Sequence, residues 1–296
     1  INFSGNMLDG SLTTAMFKQL DGMRILNLSN NYLSGTVCDF FKWTPRLEVL
    51  DLSNNMFHGA LPASFATLNK LKVLKLQCNG FSGPIPTIFD KFPELTVVNL
   101  SNNRFGGNFS DCKMYSCTQL ERVMISDNLL TGHLKAEIGN LTQLKILYLH
   151  RNSLRGVLPP EICQCLQLRR VNLSSNHFRG SLPIDLGNLI KLESLVLEDN
   201  AFIAPIPTSI TKLKQLRDYS CFRNMESESS GMPRGFIRKQ FDQVHEFGPS
   251  MGLNSMCWDF DEHEEFPNPT RVATSDRFSL FDQRLHPERR QYSFNL

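Results

Sequence analysis

Tyr148 stands among residues whose types suit binding: Arg122, Met124, Lys145, Ile146, His150, Arg151 and Arg170. An aromatic ring beside cationic and aliphatic groups is the composition favoured at binding hot spots. Here Arg151 and Arg170 would be available to a carboxylate and Tyr148 would offer a flat apolar surface, with Asp127 and Asp199 neutralising part of the charge. The parts of a catalytic site are missing. Seven histidines are scattered without a partnered nucleophile, and the chain has no phosphate loop, H-E-x-x-H or G-x-S-x-G. No two carboxylates can be assigned to one enclosed site, as glycoside hydrolysis would need. Cys163-Gln-Cys165 lacks a second ligand pair at zinc spacing, and the acidic run from Asp259 to Glu265 reads as a solvated patch, so no metal or cofactor is expected. The reading is a non-catalytic chain that recognises something.

What positions Tyr148 is a repeat. Asn6, Asn31, Asn55, Asn79, Asn103, Asn128, Asn152, Asn176 and Asn200 recur every 24 residues with two one-residue slips, and a fixed period of this kind implies a solenoid. Around them the apolar residues recur too, as in Leu47, Leu50, Leu52, Asn55, Phe57, Gly59, Leu61, Pro62, Phe65 and Leu68. The x-L-x-L-x segment alternates like a strand, so stacked copies predict a parallel sheet with leucines inward. Each asparagine turns the chain inward, where a short amide both donates to and accepts from backbone groups that the turn leaves unpaired. The glycine after it permits a bend or a close approach, and the Leu-Pro or Ile-Pro that follows keeps the chain extended. Ser110, Lys135 and Cys38 replace the proline in their repeats, and Ala204 replaces the glycine.

The full pattern, L-x-x-L-x-L-x-x-N-x-L-x-G-x-L/I-P-x-x-L-x-x-L, resembles the plant extracellular type of leucine-rich repeat. The resemblance covers residues 1 to about 224 and implies an α/β-type repeat solenoid: a right-handed superhelix with a parallel concave β-sheet and an extended or 3-10 convex side. Residues 1-224 form one domain of about ten repeats, the first and last incomplete. Residues 225-296 carry a net charge of −4 against +6 for the rest, have no leucine ladder, and are expected to be a disordered or weakly structured tail. The chain opens inside a repeat at Ile1 with no signal peptide, which reads as a fragment.

Other features fit that setting. No apolar run approaches the ~18 residues of a membrane span, so no membrane contact is expected. A net charge of +2 offers no broad basic face for nucleic acid. Sequons at Asn2, Asn27, Asn99, Asn108, Asn140 and Asn172 favour a secreted, glycosylated context. Cys112 with Cys117, in the repeat that lacks its proline, is a possible local disulfide, while Cys117 and Cys165 also fit a buried leucine slot.

The repeat also supplies columns. Seven residues before each asparagine stand Arg24, Glu48, Lys72, Thr96, Glu121, Lys145, Arg169, Glu193 and Arg217, whose alternating charges predict cross-strand pairs. Four residues before it stand sequon asparagines at four positions, Asn2, Asn27, Asn99 and Asn172, whose glycans would leave windows at Asp51 with Lys75 and at Met124 with Tyr148. Peptide-binding members of the family often carry an R-x-R pair on one strand for a terminal carboxylate. Arg169 and Arg170 are adjacent, so at most one of them faces out.

The resemblance implies the extracellular, plasma-membrane ectodomain of a receptor-like kinase or receptor-like protein, binding a peptide or protein ligand and a co-receptor for cell-surface signalling. Kinase signatures are missing, so a Ser/Thr kinase domain of the parent protein would lie outside this chain. The alternatives are a secreted inhibitor of microbial wall-degrading enzymes and a truncated, non-functional relative.

Overall fold

The computed structural model describes residues 1–203, 205–221 and 223–224. The expected tail, residues 225–296, lies outside the described residues.

Period-two alternation sets the inner and outer faces of each strand. In Val49–Asp51 the middle side chain, Leu50, is fully buried, as is Leu52 just after it, while Val49 stays partly exposed. Successive repeats place these leucines in one row, Leu26, Leu50, Leu74, Val98, Val123, Leu147, Val171, Leu195 and Tyr219, through parallel pairing at constant register. The result, among the described residues, is a nine-stranded parallel sheet with one strand from each repeat after the first, which adds only a parallel bridge from Asn2 to Asn27. Because every inward column is apolar, a one-residue slip would turn the whole row to water, and that fixes the register.

The asparagines act between repeats as well as within them. Asn103 Nδ2 donates to Leu76 O at 2.9 Å in the preceding repeat and to Leu100 O and Ser101 O, both at 3.1 Å, in its own. Its Oδ1 accepts the N–H of Phe81 at 3.0 Å. Asn31, Asn55, Asn79, Asn128, Asn152, Asn176 and Asn200 bond in the same way. Asn6, near the first described residue, is exposed and reaches Phe3 O and Ser4 O, both in its own turn. The residue before each asparagine from Asn31 onward takes a left-handed φ between 51° and 58°, as at Asn54, Asn102 and Arg151, and Gly5 before Asn6 is at 69°.

The stretch that runs from just after the asparagine to about the glycine, ahead of the Leu-Pro, pairs into parallel sheets of its own. Asp9–Ser11, Tyr32–Thr36, Met56–Gly59, Gly80–Pro84 and Arg104–Gly106 make five strands, and Arg155–Gly156, His177–Gly180 and Ala201–Phe202 make three more. Backbone bonds bridge the gap between the two sets, from Leu129 N to Phe105 O at 2.7 Å and from Arg155 N to Gly132 O at 2.7 Å. Glycine is required there. Gly59 sits at φ 81°, and a Cβ on it would lie 2.9 Å from Thr36 Cγ2.

The third side holds short 3-10 helices such as Ala63–Thr67, Ala136–Asn140 and Pro160–Gln164, which bury Phe65, Ile138 and Ile162. Prolines fix the extended approach to the first and third of these, Pro62 at φ −71° and Pro159 at φ −65°, and Lys135 takes an extended conformation in that place at the second. Among the described residues no helix is long and apolar enough to cross a membrane. Phenylalanines thread the core along the stack, with Phe57, Phe81 and Phe105 face to face at 6.1 and 6.0 Å.

The expected disulfide is not formed, because Cys112 and Cys117 are both free and buried. Cys117 fills its leucine slot and donates its thiol to Phe89 O at 3.0 Å, and Cys165 does the same to Ile138 O at 3.2 Å. Burial pushes both thiols up to about 12, so neither is a ready thiolate. Where Ser110 replaces proline, its Oγ donates to His133 O at 2.8 Å, and the Tyr115 hydroxyl accepts the Lys135 N–H at 3.2 Å. Side-chain bonds thus hold the irregular repeat together.

Candidate recognition surface

Counting back from each asparagine by twos gives the outward columns of the long sheet, at minus six, minus four and minus two. In register, Arg122, Ile146 and Arg170 form one row and Met124, Tyr148 and Asn172 the next. Six of the eight predicted residues therefore share this face: Arg122, Met124, Ile146, Tyr148, Arg170 and His150. Ile146 is the apolar floor at 8% exposure, between the strands that carry the two arginines. The His150 ring meets the Tyr148 ring edge-on at 6.1 Å.

Lys145 and Arg151 belong to the margins. Lys145 lies in the column seven before the asparagine, just ahead of the strand, and is bound to Glu121 at 2.8 Å. That column behaves as its charges predict, with Lys72 on Glu48 at 2.8 Å, Arg24 on Glu48 at 3.7 Å and Arg169 on Glu193 at 2.9 Å. Arg169 is thus engaged at the edge while Arg170 faces out on the strand Arg170–Asn172. Arg151 occupies the left-handed turn and contacts Asp127 at 3.3 Å. Asp127 also lies 3.7 Å from His150 Nε2, whereas His150 Nδ1 is buried without a partner. Burial holds the imidazole below its usual pKa; Asp127 opposes this and Arg151 reinforces it.

The sequons divide by exposure. Asn99 is buried at 6%, and its Oδ1 accepts the Ser101 N–H at 3.1 Å. Asn27 and Asn172 are half-buried and make the same turn to Ser29 and Ser174 at 3.0 Å, as Asp51 does to Ser53. The N-L-S tripeptide is therefore a turn device that also spells a sequon. Asn2, Asn108 and Asn140 are exposed.

Two sets of surface residues escaped the sequence reading. The column at minus two, with Ser126 and Ser174 on either side of His150, follows from period two once minus four is known to face out. The outward side chains of the second sheet had no such signal, since nothing in the repeat says that those stretches pair.

Leucine-rich repeat family models match residues 45–105, and also 22–43, 143–165 and 167–189. No curated protein matches the chain. Among solved structures, the Arabidopsis receptor kinase HAESA with the peptide hormone IDA and the co-receptor SERK1 is 33% identical over 74% of this chain and 37% of that chain, with a TM-score of 0.71. PEPR1 with AtPEP1 is 28% identical over 76% of this chain and 31% of that chain, TM-score 0.72. A plant ice-binding protein is 26% identical over 77% of this chain and 75% of that chain, TM-score 0.58. The chain spans 31% and 37% of the length of the two receptor structures. On its repeat pattern, its asparagine-bonded stack and these matches, the chain belongs to the leucine-rich repeat family, with repeats of the kind that build plant receptor-kinase ectodomains.

Proposed function

We propose that this chain is a non-catalytic extracellular recognition module that binds a peptide or protein ligand on the outer face of its long sheet, centred on Tyr148. The supporting observation is the register, which sets Arg122, Ile146 and Arg170 beside Met124 and Tyr148 on adjacent strands. The likeness to HAESA, solved with the peptide hormone IDA, favours a peptide over other ligands. Signalling at a cell surface would then depend on parts of a longer protein. Screening synthetic peptides against the full chain by fluorescence anisotropy tests the reading. Tyr148→Ala with Arg170→Ala should weaken the best binder by at least about tenfold, roughly 1.4 kcal/mol. Arg24→Ala, at the sheet's margin, should leave it unchanged. Equal affinity for the double variant and the parent would reject the patch.

A further inference from the structure

A second surface lies on the side of the solenoid, where the stretches that follow each asparagine pair. From residue 32 to residue 182 these stretches (32–37, 56–61, 80–85, 104–109, 129–134, 153–158 and 177–182) contain no aspartate or glutamate, yet they carry Arg104, Arg155 and Arg179. The backbone bonds that bridge the two sets of side strands make this one continuous face from Arg104 to Arg179. Arg155 pairs in register with His177, and Arg179 follows two residues later on the same strand, pointing the same way while Phe178 between them is buried. All three guanidiniums are exposed, and among the described residues none of the three has an ion pair. The contrast with the margin of the long sheet, where Glu48, Glu121 and Glu193 answer the cations, is direct. Cations clustered on a sheet without counter-charge weaken it slightly, so they read as a surface waiting for an anion.

Between the arginines the same face exposes two aliphatic residues, Leu129 at 63% and Val157 at 57%. A sugar-acid polymer or a nucleic acid would satisfy the guanidiniums and leave these side chains wet. A protein surface with carboxylates around a small apolar centre would satisfy both. We propose that this side face docks an acidic protein partner through Arg104, Arg155 and Arg179, with Leu129 and Val157 at the centre of the contact. It is separate from the Tyr148 face, so both can be occupied at once, and it stands whether or not the Tyr148 patch binds a ligand.

The test uses the full chain and a short fluorescein-labelled peptide of alternating glutamate and leucine, with a glutamate homopolymer and polygalacturonate as comparison ligands. The alternating peptide should bind. Arg155→Gln with Arg179→Gln should weaken it about tenfold, and Leu129→Ser with Val157→Ser should also weaken it several-fold. Tyr148→Ala should leave it unchanged. All four side-face positions are exposed, so an unaltered melting curve would separate lost binding from lost folding. Absence of peptide binding, or binding indifferent to both pairs of substitutions, would overturn the proposal. So would equal affinity for the homopolymer or polygalacturonate, which would make this a general polyanion site.

Discussion

The buried amides of the asparagine column are the residues on which the stack depends most. Each one joins a carbonyl and an N–H of the preceding repeat to its own turn; the carbonyl is shared with the preceding asparagine, as Leu76 O is between Asn79 and Asn103, while the N–H, that of Phe81 for Asn103, has this amide as its acceptor. Asn103→Ala should therefore cost about 1–3 kcal/mol for the unsatisfied backbone groups, read from denaturant unfolding. Asn6→Ala should cost about 0.5 kcal/mol or less, because that amide is exposed and bonds only within its own turn. Equal losses would mean that the amides matter only within a repeat. His150 makes a pH prediction. Its pKa is depressed in the folded chain relative to 6.5, so the unfolded chain takes up the proton first. Its contribution to stability is fully present above about pH 6.5 and lost as pH falls from there through the lower folded value. Melting temperatures at a series of pH values should show His150→Gln losing less stability on acidification than the parent; identical slopes would remove His150 from the account.

Among the elements, the side sheet depends on its glycines. Left-handed φ and a neighbour within contact of any added Cβ act together at Gly59, where Thr36 Cγ2 closes the space. Gly59→Val should destabilise by roughly 2 kcal/mol or more through backbone strain. Gly22 has no atom near its would-be Cβ, and Gly22→Ala should be close to neutral. Thermal melts of the two variants side by side check this. Similar melting temperatures would show that the side strands relax freely, which their parallel hydrogen bonds argue against. The 3-10 side tolerates more change, since Ser110 and Tyr115 replace a proline there with side-chain bonds.

For the whole molecule, stability is a sum of repeats and of contacts between neighbours. Deleting residues 56–79, one full 24-residue period, joins Asn55 to Gly80 and keeps the amide and phenylalanine columns in step. That variant should still unfold cooperatively in circular dichroism, at a reduced midpoint. Removing half a period should abolish the transition, because strand residues would then face turn residues in the next repeat. A cooperative melt from the half-period deletion would contradict register as the organising constraint. The two outward faces are also whole-molecule properties, each assembled from residues about 24 apart in sequence.

Period alone determined the leucine columns, the asparagine turns and the charge pairs of Glu48 and Glu121, because one backbone path repeated at constant register gives every position a fixed neighbour. It also drew Tyr148 and Arg170 onto one face. It did not determine which sequons and cysteines would be buried. Asn99 carries a sequon yet is buried, and Cys112 and Cys117 stand close in sequence yet stay reduced, with Cys117 bonded to Phe89 O instead. Nor did it reveal the acid-free side face around Arg155 and Arg179, which exists only once the stretches after the asparagines pair. Burial and pairing depend on which surfaces meet, and that is decided when the repeats stack.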